Sequence, residues 1–380
     1  MKIGIFVDEL FTGGFQKVAL EEAIELKKEG KDVYFYILKR SKESEYEKIL
    51  NKNNIKIIYL SDRVPNYLNI NFKFPLFAFF SLFHVTYPFI LPNYFKEDLN
   101  LIISHGTYTC FSAIRIAKKK NIKIINFVHD PVQFILEQKY NKNFIKRTIF
   151  KILSKFGWIA DRYILKNSDS IVAFPEMIEF LKEKHNIYVN YHIISNGVEL
   201  GKKCNKKQNY VIAFTKWDQG KNVEFLIEIW KNLAKKIQLK IIGKWAKESE
   251  MNEFIKKISS NDLKEYISVE GQMTTDKTRK YLRNARFLVH PCREPFGMTI
   301  FEAAAEGTPC IMTDNSGVAR FFNKSNSVRV KENSLKEYLE AINYLIKNSN
   351  KTIKLGNEAY KVAEKNSWKN HNKILLGAIK

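Results

Sequence analysis

Residues 290–317 read HPCREPFGMTIFEAAAEGTPCIMTDNSG, the densest run of chemically useful side chains in the sequence. Two carboxylates, Glu294 and Glu302, stand on either side of Pro-Phe-Gly with seven residues between them. An apolar run ends at His290, so Glu294 is expected in the loop at a strand's carboxyl end. Glu302 is expected early on the following helix, which Gly307-Thr308-Pro309 terminates. A carboxylate accepts two hydrogen bonds at once from a vicinal diol, the group that a ribose or a hexose presents. Gly297 lets the backbone approach a ligand closely, and the unsatisfied N–H groups of Met298 and Thr299 at the helix start offer an anion site. One segment thus has the groups to hold a sugar, a diphosphate and a ribose. Taken singly, each carboxylate is also explained as a helix-dipole residue or a solvated loop charge. The Pro-Phe-Gly between them favours the functional reading.

Two cations occupy a comparable place. Thr215-Lys216-Trp217-Asp218-Gln219-Gly220-Lys221 follows the apolar run Tyr210–Phe214, which puts Lys216 and Lys221 where a departing diphosphate would need neutralising. In a chain with 63 basic residues a lysine pair is otherwise a solvated face. Histidines close two further apolar runs: His129 in Val-His-Asp-Pro and, with weaker support, His105 in Ser-His-Gly-Thr. The alternative for each is a strand-end histidine satisfied by backbone. There is no D-x-D, so no divalent-metal clamp is expected. The lack of G-x-S-x-G, Walker A or a full G-x-G-x-x-G removes the hydrolase, P-loop and ordinary dinucleotide readings.

The elements that position these groups are short apolar runs alternating with helical stretches. Strands are expected at Ile3–Val7, Val33–Leu38, Ile55–Leu60, Leu101–Ser104, Ile122–Val128, Ser170–Phe174 and His192–Ser195. Six more are expected at Tyr210–Phe214, Leu239–Gly243, Tyr266–Val269, Phe287–His290, Cys310–Thr313 and Val328–Val330. Runs such as IKIINFV and LKIIG are apolar without strict alternation, as strands buried on both faces are. Between them, Phe15–Lys28 carries Ala19, Ala23 and Leu26 on one stripe. Thirteen strands exceed one comfortable doubly wound sheet, so two α/β domains with their strand ends across a cleft are expected. Gly201–Asn209, GKKCNKKQN, reads as the linker.

At 380 residues, with 45% hydrophobic residues, the chain has core for two domains, which excludes disorder. Its four cysteines are far apart and form no CxxC pair, so a reducing compartment fits better than a disulfide scaffold or zinc site. The opening MKIGIFVDELF reads as a first strand, not a signal peptide. The net charge of +23 implies either an anionic partner or overuse of lysine throughout the chain. Because the excess is dispersed and no nucleic-acid motif is present, nucleic acid is not the expected partner. A basic nucleic-acid-binding protein on an α/β scaffold remains the alternative class.

The segment E-P-F-G-x-x-x-x-E, with its small-residue helix and G-x-P, resembles the retaining family 4 glycosyltransferases of the GT-B fold. The resemblance extends along nearly the whole chain. Gly13-Gly14 resembles the family's N-terminal glycine loop, Asp169–Val172 a conserved strand, Ile194–Val198 its Asn-Gly-Val turn, and Ser367-Trp368 its C-terminal Ser-Trp. It implies two Rossmann-like domains: residues 1–200 for the acceptor, about 206–365 for the donor, and a last helix, 366–380, packing back on the first. Glu294 and His129 would face the transferred sugar as catalytic residues. Gly13, Gly14, Lys216, Lys221, Gly243, Gln272, Met273, Gly297, Met298, Thr299 and Glu302 would bind the nucleotide-diphosphate sugar. The pattern departs from the family's at Thr215 and Lys216, where Gly and Arg are usual, and at Arg320, about where a glutamate falls. The leaving diphosphate would itself take up the acceptor's proton, with no metal or other cofactor.

A lipid-linked or membrane-proximal glycan is the expected acceptor; a soluble enzyme with a small-molecule or polysaccharide acceptor is the variant reading. Val64–Phe95 holds one charge, Lys73, and eight phenylalanines. Its prolines and its place between strands of one sheet exclude a transmembrane helix, which leaves a buried helix or an apolar segment dipping into a membrane interface. Basic residues interleaved with apolar ones at Lys139–Lys155 suit anionic headgroups. An anionic membrane surface on the cytoplasmic, inner face is therefore expected as a partner.

Overall fold

A computed structural model describes the chain except residues 12, 42–43, 70–71, 73–80, 140–143, 219, 295–296 and 379–380, and except the side chains of residues 138, 139, 144–147 and 149. It divides into two units. The first comprises Met1–Gly197 and Trp368–Lys380, the second Val198–Ser367.

The first unit is built on β1 (Lys2–Val7), β2 (Asp32–Ile37), β3 (Lys56–Tyr59), β4 (Leu101–His105), β5 (Lys123–Phe127), β6 (Ser170–Ala173) and β7 (Asn190–Ile193). These form one sheet in the order β3-β2-β1-β4-β5-β6-β7, and every pairing is parallel. Parallel neighbours require crossovers, and the intervening helices cover both faces. Helix Gly14–Lys28 buries Val18, Ala19, Ala23 and Leu26 against one face, the expected stripe. On the other face Leu82–Tyr94 and Thr107–Lys120 bury Phe83, Tyr87, Leu91, Cys110, Ala113 and Ile114.

The second unit repeats this plan with β8 (Tyr210–Phe214), β9 (Gln238–Ile242), β10 (Ile267–Gly271), β11 (Leu288–Val289), β12 (Cys310–Thr313) and β13 (Val328–Val330). The order is β10-β9-β8-β11-β12-β13, again wholly parallel. All thirteen expected strands are present. Only β7 is displaced, lying two residues earlier than expected. It is an edge strand with Ile193 58% exposed, so burial did not stamp a clear apolar pattern on it.

One expectation is corrected. Residues 201–209 are not a free linker, because the division falls at Gly197/Val198 and Ser367/Trp368. The stretch is anchored on the second unit: Gly201 N–H donates to Ala305 O at 2.9 Å, and Lys207 Nζ donates to Arg283 O and Thr308 Oγ1 at 2.8 and 2.9 Å. Lysine richness signalled solvent, but the backbone is bonded. Within Val64–Phe95, residues 70–71 and 73–80 lie outside the described part, Phe79 and Phe80 among them. Phe83 is 2% exposed and belongs to the core, whereas Val85 and Phe89 of the same helix are exposed. Among the described residues no helix is long and apolar enough to cross a membrane.

The C-terminal helix Trp368–Gly377 belongs to the first unit, where Trp368 is buried and lies against Gly197. A Cβ on Gly197 would fall 2.3 Å from Trp368 Cε3, so only glycine admits the indole there. Trp368→Ala is expected to destabilise the first unit by about 3 kcal/mol through the cavity it leaves. Urea denaturation followed by first-unit tyrosine and amide probes reads this; an unchanged midpoint would contradict the anchoring role.

Candidate active site

In an all-parallel doubly wound sheet, two strands that are neighbours but not consecutive send their carboxyl-terminal loops in opposite directions and open a crevice between them. In the second unit these strands are β8 and β11. The loop after β8 carries Thr215 to Lys221 and the loop after β11 carries His290 to Gly297, and they meet at one carboxylate. Lys221 Nζ lies 2.8 Å from Glu294 Oε1, and Thr215 Oγ1 donates to the same oxygen at 3.0 Å. His290 Nε2 is 3.3 Å from it, near enough for charge though off the line of a hydrogen bond. His290 is fully buried, with Nδ1 3.0 Å from Cys292 O and its own carbonyl accepting from Tyr338 Oη at 2.7 Å.

Burial pushes the Glu294 carboxyl upward, but His290 and Lys221 outweigh it and hold the group at about 2. Burial likewise depresses His290, and its contacts with Cys292 and Glu294 overcome this and raise it to about 9. Lys221 is raised too, burial opposing and Glu294 prevailing. The loop backbone is fixed: Gly317 N–H donates to Glu294 O at 2.9 Å and Glu294 N–H to Ser316 Oγ at 3.3 Å.

Helix Met298–Ala305 starts beside this cluster, capped by Gly297 in the left-handed region at φ 72°. A Cβ there would lie 2.9 Å from Val318 Cγ1. Thr299 Oγ1, in the first turn, is buried without a hydrogen-bond partner. Glu302 lies half-buried one turn along. Pro295, Phe296 and Gln219, part of the sequence motifs, lie outside the described residues. Gly243 directly follows β9 at φ 132°, with its N–H donating to Gly271 O at 2.8 Å; a Cβ would fall 1.8 Å from Thr215 O, so no side chain fits. Gln272 is exposed and Met273 packs into the core beside it. Lys216 is exposed just after β8, so of the two lysines it is Lys221 that joins the carboxylate cluster.

The first unit's reversal lies between β1 and β4. Gly13 caps helix Gly14–Lys28 after β1, His105 ends β4, and His129 follows β5. His105 Nδ1 and His129 Nε2 are 3.3 Å apart. The His129 ring stacks on Phe127, with centroids 4.1 Å apart and planes within 1°. Behind His105 sits a carboxylate that the sequence reading passed over. Glu22 is fully buried, with Oε2 2.8 Å from His105 Nε2 and Oε1 2.6 Å from His371 Nε2. Its place on the stripe of Ala19, Ala23 and Leu26 was the available signal: a charge on an apolar face needs a buried partner.

His290, Cys292 and Glu294 offer donor atoms within 4.8 Å of one another, a spacing a metal ion could use. The Lys221 ammonium lies on Glu294 Oε1 and adds a cation to the same cluster. His290 was also missed as a member, although it stands four residues before Glu294. Since its folded pKa of about 9 lies above the ordinary 6.5, the stability it contributes is complete below 6.5 and falls away as pH rises through 9. The melting-temperature gap between wild type and His290→Gln should therefore close between pH 7 and 10; a gap constant over that range would disprove the buried imidazolium.

Two family models match the chain: Glycosyltransferase Family 4 over residues 12–202 and Glycosyl transferases group 1 over residues 201–362. An uncharacterised glycosyltransferase of Methanocaldococcus jannaschii is 24% identical over 369 residues, covering 90% of this chain and 88% of its own. The alpha-1,3/1,6-mannosyltransferase ALG2 of Candida glabrata is 21% identical, covering 83% and 77%. In three dimensions the chain resembles Anabaena HepE, solved in complex with UDP, with TM-score 0.74 and 13% identity over 100% of this chain and 99% of that one. That likeness assigns the fold as GT-B, two Rossmann-like α/β units. With one family model spanning half of the sequence and the other most of the remainder, the chain belongs to glycosyltransferase family 4.

Proposed function

We propose that the protein moves a hexose, with retention, from a nucleotide-diphosphate sugar to a lipid-linked or membrane-proximal glycan. The observation that carries the donor reading is the Lys221–Glu294 pair at the β8/β11 reversal, next to a helix start with an unpartnered buried Thr299 hydroxyl. A diphosphate supplies acceptor oxygens for Thr299 and for the N–H groups of Met298 and Thr299, and charge for Lys221 and Lys216. Glu302 accepts from the ribose diol. Gly243, with Gln272 and Met273 after β10, borders the base. UDP and UDP-glucose are bound in the solved HepE structures, which favours a nucleotide-sugar donor.

Glu294 and His129 are assigned to the transferred sugar. Ionised at neutral pH and held by three partners, Glu294 is an acceptor for sugar hydroxyls rather than a general acid. Catalysis then rests on orientation and on stabilising the leaving diphosphate, which takes up the acceptor's proton. No step in this scheme requires a metal. At the loop after β1 a Cβ on Gly14 would meet nothing within 4 Å, whereas one on Gly13 would fall 2.3 Å from Gln16 Oε1.

The membrane part of the proposal is carried by exposed apolar side chains on the first unit. Val85 and Phe89 on helix Leu82–Tyr94 are 45% and 65% exposed, and Ile152, Phe156 and Ile159 form a stripe on Phe144–Lys166. Helix Thr107–Lys120 touches both helices and adds Lys118, Lys119 and Lys120, while Arg115 lies 4.9 Å over the Phe89 ring. Apolar side chains ringed by cations suit an anionic interface on the cytoplasmic face.

Two outcomes are expected. Lys221→Ala and Glu302→Ala should each weaken nucleotide binding by about 1.5 kcal/mol by calorimetry, since each removes a charge-assisted contact. Glu294→Gln and His129→Ala should reduce turnover more than nucleotide affinity. Unchanged affinity in both of the first pair would remove the donor assignment. The protein should also float with anionic liposomes at low salt, less at high salt, and less when Phe89, Phe156 and Ile159 become Ser. Absence of flotation at low salt would leave a glycosyltransferase without a membrane role.

A further inference from the structure

Helix Phe144–Lys166 has two residues on its inner face that an ordinary packed helix has no need of. Gly157 stands in the helix interior, where glycine is a poor helix former. A Cβ there would fall 2.9 Å from both Cα and N of Gln133, so only glycine lets the helix lie directly on the chain that follows His129. One turn on, Asp161 is 2% exposed. Its Oδ1 accepts from the Val132 N–H at 2.7 Å and its Oδ2 from the Gln133 N–H at 2.9 Å. Val132, Leu136 and Phe150 complete the contact as a small apolar cluster. The outer face of the same helix carries the exposed Ile152, Phe156 and Ile159.

Stability does not account for Asp161. Burial raises its carboxyl to about 7 against the pull of the two N–H groups, and Glu137 adds to the rise. Because the folded value lies above the ordinary 3.8, the ionised carboxylate costs stability as pH rises through that range. What it provides is direction, two acceptor oxygens for two consecutive N–H groups. Little freedom is left between this anchor and His129. The ring of Pro131 fixes its φ, here −57°, and restricts Asp130 to extended backbone. Thr107 Oγ1 donates to Asp130 O from the start of helix Thr107–Lys120. On the other side, the Val128 N–H donates to Val172 O at 2.9 Å. His129 thus stands between two fixed points, with its ring on Phe127.

We infer that Asp161 and Gly157 are positioning residues, which mount the loop carrying His129 on the inner face of helix Phe144–Lys166 and so set where the His129 ring stands after β5. The inference rests on the role proposed above for His129. It asks for no proton transfer and no particular tautomer, only that the ring be held in one place, since a small displacement of a group facing the transferred sugar is costly to turnover.

The stacking on Phe127 gives the His129 ring protons a ring-current shift that reports their position. They are read in the 13C-histidine-labelled full chain at pH 8, where Asp161 is ionised, and assigned by their absence in His129→Ala. Asp161→Asn removes one acceptor, and the methyl of Gly157→Ala pushes Gln133 off the helix. In both, the His129 signals should move while those of His290, in the second unit, stay in place. Amide exchange at Val132 and Gln133, slow in wild type, should quicken at least about tenfold in Asp161→Asn. With UDP-glucose as the probe, release of UDP by Asp161→Asn should fall at least about tenfold, with KM changed by less than about twofold. Added to His129→Ala, Asp161→Asn should cost nothing further, because it acts through His129. Fast exchange at Val132 and Gln133 in wild type overturns the mount, and that measurement needs no variant to fold. Unmoved His129 signals in both variants overturn it too, as does a further loss in the double variant, the mark of a merely structural residue. If the signals move as stated but His129→Ala releases UDP like wild type, the sugar role of His129 fails and the mount stands.

Discussion

Everything chemical in this molecule depends on the point in each sheet where the strand order reverses. With all strands parallel, their carboxyl ends lie on one edge of the sheet. Only where β1 meets β4, or β8 meets β11, do the following loops part and leave room for side chains to converge. Lys221 and Glu294 are 73 residues apart in sequence, and Glu22 and His371 are 349 apart, yet each pair is in direct contact. Sheet order, rather than the motifs themselves, brings them together.

Both reversals are furnished alike. Each has a carboxylate taken out of water and held ionised by histidine, with Lys221 added in the second unit. Buried ion pairs contribute little net stability against an apolar replacement, but removing one partner strands the other at a cost of several kcal/mol. The arrangement therefore fixes geometry more than it stabilises the fold. The glycines serve the same end: Gly243 and Gly297 sit at positive φ where a Cβ would strike Thr215 O or Val318, so the backbone closes around the charged groups.

Much of this was legible in the sequence, and the gaps have physical causes. Strands buried on both faces leave long apolar runs, which is why twelve of the thirteen lie close to their expected positions and the half-exposed edge strand β7 does not. Glu294 and Lys221 stood out by position after a strand, but their pairing did not, because it needs the strand order. Glu22 left a trace as a charge on an apolar stripe. His371 left none, since nothing in its neighbours announces a partner so distant in the chain. The stretch 201–209 misled because lysines that look solvated can still have bonded backbone, and in Lys207 a bonded side chain.

The return of helix Trp368–Gly377 to the first unit makes that unit discontinuous, while the second is one unbroken stretch. During synthesis the order of completion is thus inverted. The second unit has all its residues as soon as Ser367 emerges, whereas the earlier-made sheet still lacks Trp368 over Gly197 and His371 beside Glu22. Until then a buried carboxylate and an apolar patch on the nascent first unit wait uncovered. That unit must persist as an incomplete intermediate, exposed to chaperones and to aggregation, for as long as translation of its neighbour takes.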